Sequence, residues 1–479
     1  MSASINEALI RDVVSEVLNR LKGPAGSSNG AASGPRSSGG VDGVFQNVDE
    51  AVAAARRGFE QLSRTSLEKR AQAIQCIRDI CIQQADELGR IELEETQIGR
   101  LDHKIEKLHV AGRTIGLEFL TTEAVSGDYG LTVTEHAPWG VLGVITPVTH
   151  SVPTLASNAV MMIAAGNTLV VNPHPGGARC AAIATQRFNR AIREKTGLEN
   201  LICLIEKPTL ETADQIFRHR DVAMLVVTGG PGVVNAAMSV NKKAIVAGPG
   251  NPPVVVDETA DIEKAAAGII KGAAYDNNLL CIGEKEVFVV DSVADRLLDA
   301  MGRHGGVRLS ASQIEALTQV AVHKDEKSGH WLPDKKFIGK DARVLAEAIG
   351  LTVPAGTQLL YGEVSDDSPW LPCEQMMPFL PVNRCRDVDE AIRKAVHFEH
   401  GFRHTAIIWS QSVDNMTKMG KACNTTLFVK NGPCMAGLGL GGEGFGSFSI
   451  ATPTGEGVTS PMTFTRVRRC VMVENLRIL

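Results

Sequence analysis

The chemistry in this chain centres on Cys281, in the stretch Tyr275-Asp-Asn-Asn-Leu-Leu-Cys-Ile-Gly-Glu-Lys-Glu-Val-Phe-Val-Val290. A helical run over 265–274 ends in polar turn residues. The cysteine follows, and then the Val/Phe run of a buried strand. A thiol on such a turn is held rigidly and can still meet a cleft. Its thiolate is the reactive form, so the pocket must lower its pKa or a bound group must take its proton. Taken alone, a cysteine is more often a small buried hydrophobe. Two other stretches argue for more. In Ala247-Gly-Pro-Gly-Asn-Pro-Pro-Val-Val-Val256, Gly248 and Gly250 permit close backbone approach and the proline pair stiffens the entry to a strand. In Pro138-Trp-Gly-Val-Leu-Gly-Val-Ile-Thr-Pro-Val-Thr-His-Ser151 a strand ends in a polar turn carrying Thr149 and His150.

These stretches need a large scaffold, and 479 residues suffice for two or three domains with sizeable cores. A composition 44% hydrophobic and 22% charged is that of an ordinary globular enzyme. A net charge of −5 with no basic run gives no footprint for nucleic acid or an anionic membrane. The ten cysteines form no CxxC pair and no Cys/His cluster of zinc spacing, so free thiols in a reducing cytoplasm and no metal site are expected. The most apolar region, 155–171, is interrupted by Asn158, Gly166 and Asn167 and reads as a buried helix plus strand rather than a membrane span.

From 139 to 227 strands and helices alternate. Strands are expected at 141–145, 169–171, 201–205 and 224–227, with helices starting near Val152, Ala178 and Thr209. That is the βαβ pattern of a parallel, doubly wound sheet, whose ligands sit at the carboxyl ends of the strands. The unusual residues fall at those ends: Thr146, Pro147, Thr149 and His150; Asn172, His174 and Pro175; and Thr228, Gly229, Gly230 and Gly232, where a turn enters a helix whose N-terminus suits a phosphate. A second α/β unit over 247–444 carries Cys281, with strands at 254–256, 287–290, 381–382 and 406–409. Helices are expected over 48–62, 66–96 and 104–120, and an exposed strand over 127–135.

At the N-terminus, Ser4 and Glu7 form a capping box before an amphipathic helix over 4–22. Its apolar stripe is Ile5, Leu9, Val13, Val17 and Leu21. The Gly/Ser/Pro-rich run that follows is a flexible linker. A tethered helix of this kind either docks on its own enzyme or lays its stripe into a partner's groove. Its balanced charge argues against membrane attachment.

Together the motifs around Pro138–Ser151, Ala247–Val256 and Cys281 resemble the aldehyde dehydrogenase superfamily. In detail they resemble its CoA-acylating branch, the propionaldehyde and acetaldehyde dehydrogenases of bacterial microcompartments, from about residue 41 onward. The resemblance implies an α/β fold of two doubly wound domains plus a β-strand oligomerisation arm. The NAD-binding domain would be 43–123 and 139–246, the catalytic domain 247–445, and the arm 124–138 and 446–479, completed by the alternating run 462–473. A dimer or tetramer would follow. Residues 1–22, then a linker over 23–42, resemble the encapsulation peptides that bind shell proteins. They imply a cytoplasmic enzyme inside a microcompartment.

The resemblance also assigns roles. Thr146, Pro147, Thr149, Asn172, His174, Pro175, Thr228, Gly229, Gly230, Gly232, Gly248 and Glu374 would bind NAD. Asn172 stands where a ribose-binding lysine is common in the family. Cys281 would attack a small aldehyde, propionaldehyde first and acetaldehyde second. The oxyanion would be held by the Cys281 N–H and by His150, which stands near the family's usual asparagine; the alternative for His150 is a packed turn residue. Hydride transfer to NAD would leave a thioester. The glutamate that activates water in hydrolytic relatives aligns with Ala247, so the acyl group is expected to pass to coenzyme A. Glu284 and Glu286 read as structural or surface carboxylates, and the other nine cysteines as structural. Gly437-Leu-Gly-Leu-Gly-Gly442 matches GxGxxG but lacks the strand–helix context of a dinucleotide fingerprint, and reads as a loop near the site. Two rivals stand beside this reading. One is a hydrolytic aldehyde dehydrogenase giving free acid, and the other a non-catalytic microcompartment scaffold.

Overall fold

Short Val/Ile/Leu runs bounded by Gly, Pro and Asn build two parallel sheets in this computed structural model, which describes residues 40, 42–326 and 328–475. The helix expected over 4–22 lies outside the described residues, as does the linker apart from Gly40 and Asp42. Asp42 is not loose: its carboxylate takes ion pairs from Arg190 (3.0 Å) and Arg193 (2.6 Å).

The first sheet runs, edge to edge, Val44–Phe45, Ile202–Ile205, Thr168–Pro173, Val141–Thr146, Val222–Thr228 and Lys243–Ala247, all parallel. Every residue of Val141–Thr146 and Thr168–Pro173 is buried. Such strands need helices on both faces, which is why they read as continuous apolar runs. Helix Ser151–Ala164 supplies part of that cover and is itself buried at every position. Strand order reverses beside Val141–Thr146: the chain first winds one way through 168 and 202, then crosses to 222 and 243. This places a ligand crevice beyond Thr146 and Thr228.

The second sheet runs Gly306–Arg308, Leu359–Glu363, Phe379–Cys385, Glu286–Val290, Pro253–Val256, Thr405–Trp409 and Leu427–Lys430, again parallel. Val254, Val287, Val382 and Ile407 face one core, and Val255, Phe288 and Ile408 the other. Cys281 lies in the link from helix Ile262–Ala273 to strand Glu286–Val290.

Four expectations need correcting. The single helix over 66–96 is two, Leu67–Gln83 and Ala85–Thr96. Gln84 ends the first through its N–H to Ile80 and starts the second by accepting from Leu88. The helix over 104–120 is Leu101–Ala111 followed by a 3-10 turn Leu117–Phe119. Gly112 closes it, packed so tightly that a Cβ would lie 2.6 Å from Ile82. The one strand over 127–135 is a hairpin, Glu123–Gly127 and Gly130–Pro138, and Gly130 takes φ +112° at its turn. Within the alternating run 462–473 the strand starts only at Thr465, after a 3-10 turn Pro461–Phe464 capped by Ser460. Thr465–Val473 pairs with Gly130–Pro138 to make a separate three-stranded antiparallel sheet.

Candidate active site

The residues expected to bind a dinucleotide gather at the carboxyl edge of the first sheet. Thr146 ends one strand; its hydroxyl is buried with no protein partner and its carbonyl accepts from the His174 N–H at 3.0 Å. Pro147 and Thr149 follow in the turn, half-buried. Asn172 is turned inward: its oxygen accepts from the Thr212 hydroxyl (2.6 Å) and its amide donates to the Thr209 carbonyl (3.3 Å). His174 and Pro175 are exposed, and His174 Nδ1 accepts from the Gly176 N–H. Thr228 ends the next strand and pairs with Ser449 at 2.9 Å. Gly229 and Gly230 lead into the eight-residue helix Pro231–Met238, with Gly232 exposed in its first turn. Ala247 ends the adjoining strand opposite Thr228. An orphaned buried hydroxyl, strand ends and a helix N-terminus at one switch point fit a dinucleotide.

The loop that carries Cys281 is built from three left-handed residues, Asp276 (φ 49°), Asn277 (φ 57°) and Asn278 (φ 66°). Asp and Asn are the non-glycine residues that tolerate this region best, and each is held here by its own side chain. Asp276 accepts from the Arg100 N–H (2.8 Å) and pairs with buried Lys107. Asn277 donates to the Gly339 carbonyl and to Asp341, both at 2.9 Å. Asn278 donates to the Ala273 and Glu284 carbonyls, also at 2.9 Å. From the far side, Gly250 presses its backbone against the loop: a Cβ there would lie 2.5 Å from the Cys281 carbonyl oxygen and 3.1 Å from the His404 ring.

Burial dominates the electrostatics. Cys281 is half-buried as a residue, and its thiol is pushed up to about 12, first by desolvation and then by the Glu374 charge, with Lys285 opposing. Glu374 lies at this site, its carboxylate accepting from the Gly250 N–H at 3.3 Å. His150 caps helix Ser151–Ala164 and tilts over Phe448. Burial, with Lys107 next, lowers it to about 3, so its imidazole is neutral and has one N–H to give; its Nδ1 is buried without a protein partner. His404 is lowered to about 4 in the same way. Glu284 and Glu286 are not surface groups: both are fully buried. Burial raises Glu284 to about 7 while it accepts from the Cys434 N–H (2.9 Å), and raises Glu286 well above the usual carboxylate range.

The sequence reading missed four residues, Lys107, Asp276, Lys285 and His404, and read Gly250 as a close-approach glycine without giving it a place at the site. Asp-Asn-Asn ahead of a cysteine was a legible signal for a left-handed turn, whereas buried lysines leave no trace in hydrophobic patterning. Gly248, singled out instead of Gly250, has only Pro453 within reach of a Cβ. The GxGxxG run begins inside a 3-10 turn, Cys434–Leu438, and continues in irregular backbone, so it is a loop. Among the described residues no group of His, Cys, Asp and Glu could hold a metal ion, and no helix is long and apolar enough to cross a membrane.

A thiol on a loop fixed by side-chain hydrogen bonds, and a neutral imidazole on a turn that Lys107 ties to that loop, are the parts that addition to a carbonyl needs. The chain is 45% identical over 477 residues, 99% of its length and all of the relative's, to the acetylating acetaldehyde dehydrogenase EutE of Salmonella typhimurium. It is 44% identical to the Rhodopseudomonas palustris propionaldehyde dehydrogenase solved with bound CoA and an acylated cysteine (TM-score 0.89, covering 91% of this chain and all of that one). A propionaldehyde dehydrogenase from the fucose utilisation microcompartment of Clostridium phytofermentans matches at 42% identity and TM-score 0.88, with the same coverage. The model of the aldehyde dehydrogenase family matches residues 42–446, and the chain belongs to that family.

Proposed function

We infer that this enzyme oxidises a short aldehyde to its CoA thioester with reduction of NAD. The carrying observation is the pairing of Cys281 with Ala247: the nucleophile is present, and the water-activating carboxylate is replaced by a methyl group. Aldehyde, CoA thiol and NAD⁺ give acyl-CoA, NADH and one proton.

Cys281 sulfur adds to the carbonyl carbon as its S–H bond breaks and the proton passes to solvent, forming a C–S bond and an oxyanion; solvent returns the proton when the Cys281 thiolate leaves at the end of the cycle. The Cys281 N–H and the neutral His150 imidazole stabilise that oxygen. Thr146, Pro147, Thr149, Asn172, His174, Pro175, the 228–232 turn, Gly248 and Glu374 would hold NAD, which would supply the hydride acceptor. Loss of hydride leaves a thioester on Cys281. The CoA thiolate then attacks the acyl carbon and Cys281 leaves. Water attack has no base at Ala247, whereas a thiolate needs none. Propionaldehyde is the first substrate and acetaldehyde the second, the two named in the relatives.

Residues 43–123 with 139–246 form the cofactor domain and 247–445 the catalytic domain. The arm is 124–138 with 446–479; exposed Val467, Val471 and Val473 on its edge strand suit a second copy, so we assign a homo-oligomer. We assign residues 1–22 to shell-protein binding, which would put the enzyme inside a microcompartment, a setting one relative is named for. Deleting 1–22 is expected to leave activity intact and abolish co-purification with shells; retained co-purification contradicts the assignment. The chemical reading is tested by mass spectrometry of the Cys281 peptide. Aldehyde plus NAD should leave an acyl adduct there, which CoA removes; no adduct on that peptide contradicts it.

A further inference from the structure

Lys285 is fully buried, four residues after the nucleophile. Its ammonium has three donors, and all three turn to the catalytic loop: the Asn278 carbonyl at 2.8 Å, the Asn278 side-chain oxygen at 2.6 Å and the Leu280 carbonyl at 3.2 Å. None of these is a carboxylate. Its own backbone is fixed as well: the N–H donates to the Pro252 carbonyl and the carbonyl accepts from Gln375. An ammonium buried without a direct ion pair costs several kcal/mol, and three neutral oxygens could be satisfied by a neutral side chain. The charge therefore needs a use.

The Leu280 carbonyl and the Cys281 N–H belong to one planar peptide unit and point in opposite directions. A cation on the carbonyl fixes that plane and polarises the N–H on its other side, which makes the N–H a stronger donor. This is the N–H assigned above to the oxyanion. We propose that Lys285 is a positioning residue for the reaction: it aims and polarises the Leu280–Cys281 peptide and holds a positive charge behind the nucleophilic sulfur. The proposal rests on Cys281 being the nucleophile. The groups facing this ammonium are the carboxyls of Glu374, Glu284 and Glu286, the thiols of Cys281, Cys373 and Cys434, and neutral His404. Lys285 acts to lower the Cys281 thiol, and Cys281 to raise the lysine.

The test is iodoacetamide alkylation of Cys281 in the full-length enzyme without substrates, followed on its own peptide because the chain has ten cysteines. Below the thiol pKa the rate reads the thiolate fraction and rises tenfold per pH unit. Lys285→Gln keeps donors and loses the charge. With thermal unfolding close to the parent's, it should alkylate about tenfold more slowly at each pH from 7 to 9, one unit of thiol pKa. Its kcat should fall about 10²-fold, the effect of weakening one oxyanion donor, with KM for CoA unchanged. Lys285→Arg, which keeps the charge, should recover part of both. Parent-like alkylation and kcat in Lys285→Gln would overturn the proposal. If the Gln variant does not fold, the parent enzyme carries the test. Burial lowers the Lys285 pKa from its usual 10.5, so log rate should drop below unit slope as the ammonium neutralises on the alkaline side. A straight unit slope through pH 10.5 would contradict it. Alkylation needs neither aldehyde nor CoA, so its outcome is independent of which acyl acceptor the enzyme uses.

Discussion

Lys107 joins the two halves of the site: its buried ammonium donates to the Thr149 carbonyl at 3.1 Å, beside His150, and pairs with the Asp276 carboxylate in the Cys281 loop. A second buried pair, Lys104–Glu92 at 3.1 Å, runs alongside, and Glu92 also accepts from the Val152 N–H in the helix that His150 caps. One charge network thus sets the Cys281 loop against the turn that carries His150, the second oxyanion donor we propose.

Lys107→Met should therefore cost about 3–5 kcal/mol, because it leaves the Asp276 carboxylate buried and unpaired. Denaturant unfolding checks this. The double variant Lys107→Met/Asp276→Asn should lose much less than the sum of the single losses, the signature of a coupled pair. Additive losses would remove the pair from the account.

The sheets were legible because strands such as Thr168–Pro173 and Pro253–Val256 are short, valine-rich and bounded by Gly, Asn and Pro, and because their spacing leaves room for crossover helices. Helix ends were less so: Gln84 interrupts a continuous helical pattern, and no residue type there announces it. Cys281, His150 and Ala247 could be found from motifs. Lys107 and Lys285 could not, since a lysine reads as solvated surface until its partners are seen. Gly250 was within sight, but only the fold shows that it, rather than Gly248, meets the Cys281 carbonyl.

Gly250→Ala places a methyl group 2.5 Å from that carbonyl. Overpacking of this kind costs about 1–3 kcal/mol. The larger effect should be on rate, because a displacement of about 1 Å at the nucleophile loses about 10²-fold. Thermal unfolding and kcat measured together check it, and Gly248→Ala should be milder on both.

His150 is expected to stay neutral throughout the working range, so the pH profile of kcat/KM should show no break from it above pH 5. His150→Asn should keep most of the activity, while His150→Phe should lose about 10²–10³-fold, the cost of one oxyanion donor. The same group shapes stability. Its folded pKa, about 3, lies below the ordinary 6.5, so the unfolded chain protonates first. Its contribution is whole above pH 6.5 and is lost as pH falls toward 3. His404, at about 4, acts with the same sign. Unfolding midpoints measured from pH 7 to 4 should decline less steeply in His150→Asn than in the parent.

Ala247→Glu restores a carboxylate at the end of strand Lys243–Ala247, beside Thr228. General-base assistance is worth about 10²–10⁴-fold, so CoA-independent formation of free acid should rise by about tenfold or more. Product analysis without CoA checks it; unchanged acid formation would separate Ala247 from the choice of acceptor.

The most direct measurement of the central claim is NADH formation from propionaldehyde and NAD, with and without CoA, with the products identified. The account predicts turnover only with CoA, yielding propionyl-CoA in step with NADH. Sustained turnover to propionate without CoA would contradict it, because another base would then be activating water where Ala247 cannot.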